Sequence, residues 1–513
     1  MTGAQRIVFN ALASFSRSVF GMALGLFSSR WLLQALGPVD YGLMGVVGSL
    51  IMFITFFSHI TAGASARFFA YSIGSGDLEE TRRWFNTSLS LHVAIPRAVI
   101  LVGLTLGEYA IVHYVNIPAD RLWTARWVFR FSLVSAIWSM CATPYLGMYT
   151  AKQRIAERSI WDVVVSVANF FFYYGLTRYR GDKWLLCSAG IVLISVSVGV
   201  IQVVRAHLKF PECRIHFPYW WQRRRMRAVF AYSGWTVFGA LGGLFRGQGT
   251  AILLNRYFNP LQHPQVNAAY GIGNQVTAYT QVMSSSLMNA FSPEITALEG
   301  RGERERMLRQ SLRASRFATF LILLLAMPLM IETDYLLQLW LREPPPLAAI
   351  FCRLILAVCL IDNLTVGQMV AVAAKGQIAV YQVVLGTLLI LTLPIAWGLL
   401  HLGLPPQSIG VAFIATVTLC SAGRVLGAMW LLDASPRKWL RGVLMPCLGV
   451  VLVSGFAGLI VKQLLGDAGL VRLVLVIAAT SVMSLSLGWW LVLDLPAKSF
   501  VIVHLRKILR IKA

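Results

Sequence analysis

The sequence predicts an all-α, polytopic membrane protein of about fourteen transmembrane helices, and three observations carry that prediction. Of its 513 residues, 57% are hydrophobic and 13% charged, against roughly 25% charged in soluble domains. Trp184 to Val204 has no charged residue, and Gly376 to Gly423 holds no Asp, Glu, Lys or Arg. A span needs about 20 mostly apolar residues, so the second stretch accommodates two helices around Leu404-Pro405-Pro406-Gln407. Third, Cys141, Cys187, Cys352, Cys359, Cys420 and Cys447 fall inside apolar segments, and only Cys213 lies in a polar one. No metal-ligand or disulfide spacing appears, which reads as buried structural thiols. An ordinary soluble enzyme is excluded.

Apolar runs read against turn signals place helices at 7–33, 41–66, 86–112, 122–148, 159–177, 184–204, 229–254, 266–290, 313–332, 346–373, 377–400, 408–431, 442–464 and 470–493. The first follows Arg6 and runs past any cleavage site, so it reads as a retained span rather than a signal peptide. Pro96, Pro144, Pro328 and Pro394 fall within spans as candidate kink points.

The net charge of +24 would suggest nucleic acid in a soluble protein. Here Lys and Arg concentrate about threefold on one alternate set of loops, which predicts both termini in the cytoplasm and removes nucleic acid as a partner. Arg223-Arg224-Arg225-Met226-Arg227, Arg301 to Arg316 and the tail with Arg506, Lys507, Arg510 and Lys512 are then chiefly topology signals. Tyr219-Trp220-Trp221 beside the first cluster also suits membrane lipids at an anionic surface.

An internal repeat organises the spans. Ala151-Lys152-Gln153-Arg154-Ile155-Ala156 is echoed by Ala374-Lys375-Gly376-Gln377-Ile378-Ala379, at an offset of 223 residues, and Tyr41-Gly42 by Tyr270-Gly271, at 229. Six helices separate equivalent positions, so both copies run the same way through the membrane. The predicted organisation is an N-lobe at 1–204, a basic linker at 205–228, a C-lobe at 229–431, and helices 13 and 14 with a basic tail at 432–513.

Six arginines fall well inside predicted spans: Arg17, Arg97, Arg130, Arg246, Arg353 and Arg424. Each costs about 2.5 kcal/mol or more near the bilayer centre, too much unless it faces water or a partner. The acids read at comparable depth are Asp162 and Asp362. Arg158 and Asp162 have i, i+4 spacing and are expected to pair. Arg353 and Asp362 lie on opposite faces of one helix. Arg130 and Arg353 lie near the outer end, where snorkelling is easy. Asn274 and Gln281 sit on a polar stripe of the eighth helix with Tyr270, Thr277 and Ser284. A cationic lumen between the lobes, fitted to an anionic cargo, accounts for these placements, since arginine's planar fork grips phosphate and keeps its charge.

Leu36-Gly37-Pro38-Val39-Asp40-Tyr41-Gly42 resembles the Leu-Gly-Pro-x-x-Tyr-Gly signature of Wzx-type polysaccharide (O-antigen) flippases. These belong to the multidrug/oligosaccharidyl-lipid/polysaccharide exporter superfamily, to which MATE-like exporters also belong. The motif has a structural meaning too, because Pro38 breaks the helix and Asp40 can cap the next one. The resemblance implies transfer of undecaprenyl-pyrophosphate-linked glycan, a lipopolysaccharide or exopolysaccharide repeat unit, across the bacterial inner membrane by alternating access. It brings polysaccharide polymerase machinery as a partner. No phosphate-loop motif is present, so no ATPase or other cofactor is read. Proton or sodium coupling would fall to Asp362 or His59. Alternatives are export of a lipid-linked peptidoglycan precursor or a drug. A membrane glycosyltransferase or polymerase fits less well, because Asp40, Asp120, Asp182, Glu332 and Asp334 are scattered over the outer loops.

Overall fold

Gly37 adopts φ 73° and ψ 171° inside an otherwise helical run, a backbone conformation strained for any residue with a Cβ. Together with Pro38 it separates two helices that meet at a kink, as the sequence predicts; the pair is numbered together as α1 (Gly3–Gly74). The computed structural model describes the backbone of residues 3–74, 77–152, 154–259, 262–375, 379–494 and 498; side chains are described over the same ranges apart from 3–19, 57–64, 66–67, 70–71, 74, 155–156, 231–233, 235–236, 238–239, 289–290, 293, 297 and 379–380.

The remaining helices are α2 (Leu78–Val102), α3 (Glu108–His113), α4 (Leu122–Ala151), α5 (Ile155–Leu176), α6 (Lys183–Lys209), α7 (Arg223–Leu244), α8 (Thr250–Tyr257), α9 (Val266–Gly300) and α10 (Arg304–Ile331). They continue with α11 (Thr333–Leu341), α12 (Ala348–Asn363), α13 (Val366–Lys375), α14 (Ala379–Ile390), α15 (Thr392–His401), α16 (Ile409–Leu432), α17 (Pro436–Trp439), α18 (Met445–Leu465) and α19 (Leu470–Leu487). The chain is all-α among the described residues. Ten helices there are long and apolar enough to cross a membrane, or eleven if α12 and α13, bent by 43°, are one span.

By contacts, residues 1–271, 343–348 and 389–409 form one compact unit and 272–342, 349–388 and 410–513 a second. The sequence repeat assigns the helix after the linker to the later lobe, whereas by packing α7 belongs to the first unit. A repeat boundary and a packing boundary are different quantities.

In the first unit, Leu43, Val47, Val128, Phe129, Ile111 and Trp184 form one core and Phe69, Phe85, Tyr145, Tyr149, Phe210 and Cys213 another. Close backbone approach matters more here than apolar burial, because lipid is as apolar as the side chains. A Cβ on Gly42 would lie 3.1 Å from the amide nitrogen of Ala268, and one on Gly271 would lie 3.7 Å from Tyr41. The two Tyr-Gly pairs matched by the repeat thus lie against each other. Asp40 does not cap a helix. It is buried and sits 2.7 Å from Arg121, which also lies 3.6 Å from Asp182. Two of the apparently scattered outer acids therefore share one arginine, and Asp182 additionally caps α6 through the amides of Trp184 and Leu185.

In the second unit, Phe320, Leu323, Met327, Cys447, Val450 and Val492 pack α10 against α18 and α19. A buried pair, Arg472 to Glu332 at 2.8 Å, and Lys462 donating to the Ile331 carbonyl at 2.7 Å tie α18 and α19 to the end of α10.

Candidate functional site

A broadened turn, Phe245–Gly249, interrupts the helix between α7 and α8 and frees backbone carbonyls. Tyr270 donates to the Gly247 carbonyl at 3.0 Å, Thr250 to that of Arg246 at 2.7 Å, and Ser49 to the Gln248 side chain at 2.8 Å. Phe53 meets Phe245 edge-on at 5.3 Å. This frame holds Arg246 half-buried, with its Nη1 buried and without a hydrogen-bond partner among the described residues. A buried guanidinium N–H without a partner is a ready donor to an anionic oxygen. The sequence located Arg246 and Tyr270, but not Ser49 or Gln248, which come together only through the packing of α1.

Arg97, next to buried Pro96 in α2, is exposed and has no ion pair or hydrogen bond among the described residues. The side chains of Arg17 and His59 lie outside the described residues.

The other predicted arginines find carboxylates. Arg130 is bound to Glu108 at 2.6 Å and 3.2 Å and lies 5.2 Å over Trp127. Glu108, which the sequence reading did not single out, is thus the partner of Arg130. Arg353 is held by Asp334 at 2.5 Å and by the Met330 carbonyl at 3.0 Å. Arg158 donates to Thr150 at 3.4 Å rather than pairing with Asp162, because pairing depends on side-chain direction as well as helical spacing.

Arg424 is buried on α16 and its Nη1 reaches Asp362 Oδ1 at 2.8 Å, the Asp362 carbonyl at 3.2 Å and Thr365 Oγ1 at 3.2 Å. The reason is the break between α12 and α13. It releases three carbonyls, which Ser421 satisfies at Ile361 (3.1 Å), Arg424 at Asp362 and Trp439 at Leu364 (2.9 Å). Non-helical backbone at membrane depth requires such partners. Arg424 is consequently part of an ion pair and a helix-break clamp, not an open cation, and Asp362 is compensated by it.

Gln281 likewise lies within packing, accepting from Cys359 Sγ at 2.9 Å and Asn363 Nδ2 at 3.1 Å, while Ser284 donates to Asn363. Asn274 is exposed. No cluster of three metal-binding side chains occurs among the described residues.

Several solved transporters share this arrangement of helices. An inward-facing multidrug MATE transporter of the MOP superfamily superposes with a TM-score of 0.67, at 14% identity, covering 82% of this chain and 98% of that one. The fold is that of the MATE and MurJ transporters. The lipid II flippase MurJ, in an inward closed conformation, gives a TM-score of 0.66 at 11% identity and covers 94% of this chain and 98% of its own. A MOP superfamily transporter from Pyrococcus furiosus, described as having a binding pocket of reversed polarity, gives 0.59 at 14% identity, covering 83% and 96%. No protein-family profile and no curated protein sequence matches the chain.

Proposed function

We propose that the chain is a flippase for undecaprenyl-pyrophosphate-linked oligosaccharide in the bacterial cytoplasmic membrane. Arg246 carries this reading: its Nη1 is buried without a hydrogen-bond partner among the described residues, in a polar frame at the broadened turn between α7 and α8, within a transporter fold. Its chemistry suits a pyrophosphate rather than a cationic drug. The 94% coverage by MurJ supports a lipid-linked cargo as well.

On this reading both termini are cytoplasmic, and 1–204 and 229–431 are parallel six-helix repeats with two added helices. They alternate between inward and outward openings while Arg97 and Arg246, with Arg17 from the first helix, engage the anionic end of the cargo. The lipid tail stays in the bilayer. Polymerase machinery would receive the glycan outside. Proton or sodium coupling through Asp362 would have to loosen its pair with Arg424.

A strain lacking the gene should accumulate undecaprenyl-pyrophosphate-linked glycan on the inner leaflet, and Arg246→Ala should not relieve this. A glycan that reaches the surface normally in the deletion strain refutes the proposal. Complementation of a depleted lipid II flippase would instead assign the peptidoglycan precursor as cargo, a reading favoured by the MurJ coverage alone.

A further inference from the structure

The arginines of the linker have different surroundings. Arg225 turns inward, donating to Glu80 at 2.5 Å and lying 5.4 Å over the Trp84 ring. Arg223, Arg224 and Arg227 are exposed and make no ion pair or hydrogen bond among the described residues. They lack local compensation because no Asp or Glu occurs between Glu212 and Glu294, and Glu79 is already engaged by Arg82, Arg83 and Tyr219.

The aromatic residues divide in the same way. Trp220 packs against the Phe69, Phe85 and Phe210 core, whereas Phe217 and Trp221 are 72% and 66% exposed. This outward presentation is held by backbone bonds. Asn86 donates to the Arg214 carbonyl at 3.0 Å and accepts from the His216 amide at 2.7 Å; Thr87 and Ser90 donate to the Tyr219 and Trp220 carbonyls at 3.1 Å and 2.5 Å. Arg223, Met226, Arg227 and Phe230 follow at i, i+3, i+4 and i+7, one face of α7. With Trp221 they line a groove of 620 Å³.

We propose that this groove binds an anionic phospholipid of the surrounding bilayer. Arg223 and Arg227 take the headgroup phosphate, Trp221 sits at the interface, and an acyl chain lies along Met226 and Phe230. Guanidinium forks match phosphate, tryptophan favours the headgroup level, and free basic residues are drawn to anionic leaflets. The assignment is independent of the transported cargo.

The test is native mass spectrometry of the full chain titrated with phosphatidylglycerol, with phosphatidylcholine of the same acyl chains, and with inorganic phosphate as competitor. Phosphatidylglycerol should bind preferentially, and Arg223→Gln/Arg227→Gln should weaken it on the order of tenfold. Arg224→Gln, outside the groove, should weaken it less than the double variant does, by the loss of one unspecific surface charge. Equal binding of the two lipids, an unaffected double variant, or an equal loss in Arg224→Gln overturns the groove. Displacement by inorganic phosphate overturns the lipid assignment. Should the double variant not be recovered, Trp221→Ala decides: weakened phosphatidylglycerol binding supports the proposal and unchanged binding overturns it.

Discussion

Arg424 on α16 and Asp362 at the end of α12 form a 2.8 Å ion pair beside the break between α12 and α13, which makes Arg424 a structural cation. Removing one member of such a pair leaves a charge without its partner. Arg424→Ala should therefore reduce the folded protein in the membrane, by about 3 kcal/mol or less given the partial exposure of Asp362. Arg424→Ala/Asp362→Ala should recover much of it. Thermal unfolding in detergent checks both, and a single variant as stable as the parent would refute the clamp.

Arg246 should behave in the opposite way. Because it has no hydrogen-bond partner among the described residues at Nη1, Arg246→Ala removes no internal pair and should leave the protein level near normal. Loss of a charge-assisted bond to cargo, about 1.5–3 kcal/mol, corresponds to roughly 10- to 100-fold in affinity. Export of lipid-linked glycan in vesicles is the measurement, and Arg246→Lys should retain part of it.

Gly367 marks where α13 crosses α10. Its amide donates to Ser315 Oγ at 2.8 Å, and a Cβ there would lie 1.9 Å from the Ser311 carbonyl oxygen. Since backbone cannot yield as a flexible side chain does, Gly367→Ala should destabilise by about 1–3 kcal/mol or more. An unchanged melting temperature would contradict the close crossing.

Cys213 is fully buried beside Phe210, and burial together with neighbouring Glu212 pushes its thiol well above the ordinary range. A raised pKa means less thiolate at a given pH, and the thiolate is the nucleophile. Maleimide should fail to label Cys213 between about pH 7 and 8 in the folded protein and should label it after denaturation. Ready labelling of the native protein would refute its burial.

Helix existence was largely legible in the sequence because the bilayer demands long apolar runs. Interruptions within helices were less so. The 377–400 span is split into α14 and α15, and 346–373 into α12 and α13; at the latter break, hydropathy does not register that carbonyls have been handed to Ser421, Arg424 and Trp439. At the candidate site, residue type and depth singled out Arg246 and Arg424 equally. They differ only in what packs beside them: Arg424 has Asp362, 62 residues away in the chain.

By itself the sequence determined the all-α class, the placement of most spans and the concentration of arginine within them. These follow from one-dimensional quantities, the apolar length needed to cross a bilayer and the cost of burying charge. Tertiary structure alone decided which arginines are neutralised and that Asp40 holds Arg121 instead of capping a helix. It also decided the kink at Gly37, where the two halves of α1 meet. Those outcomes depend on side chains brought within a few ångströms by packing, where Coulombic and hydrogen-bond energies are set by distance and direction.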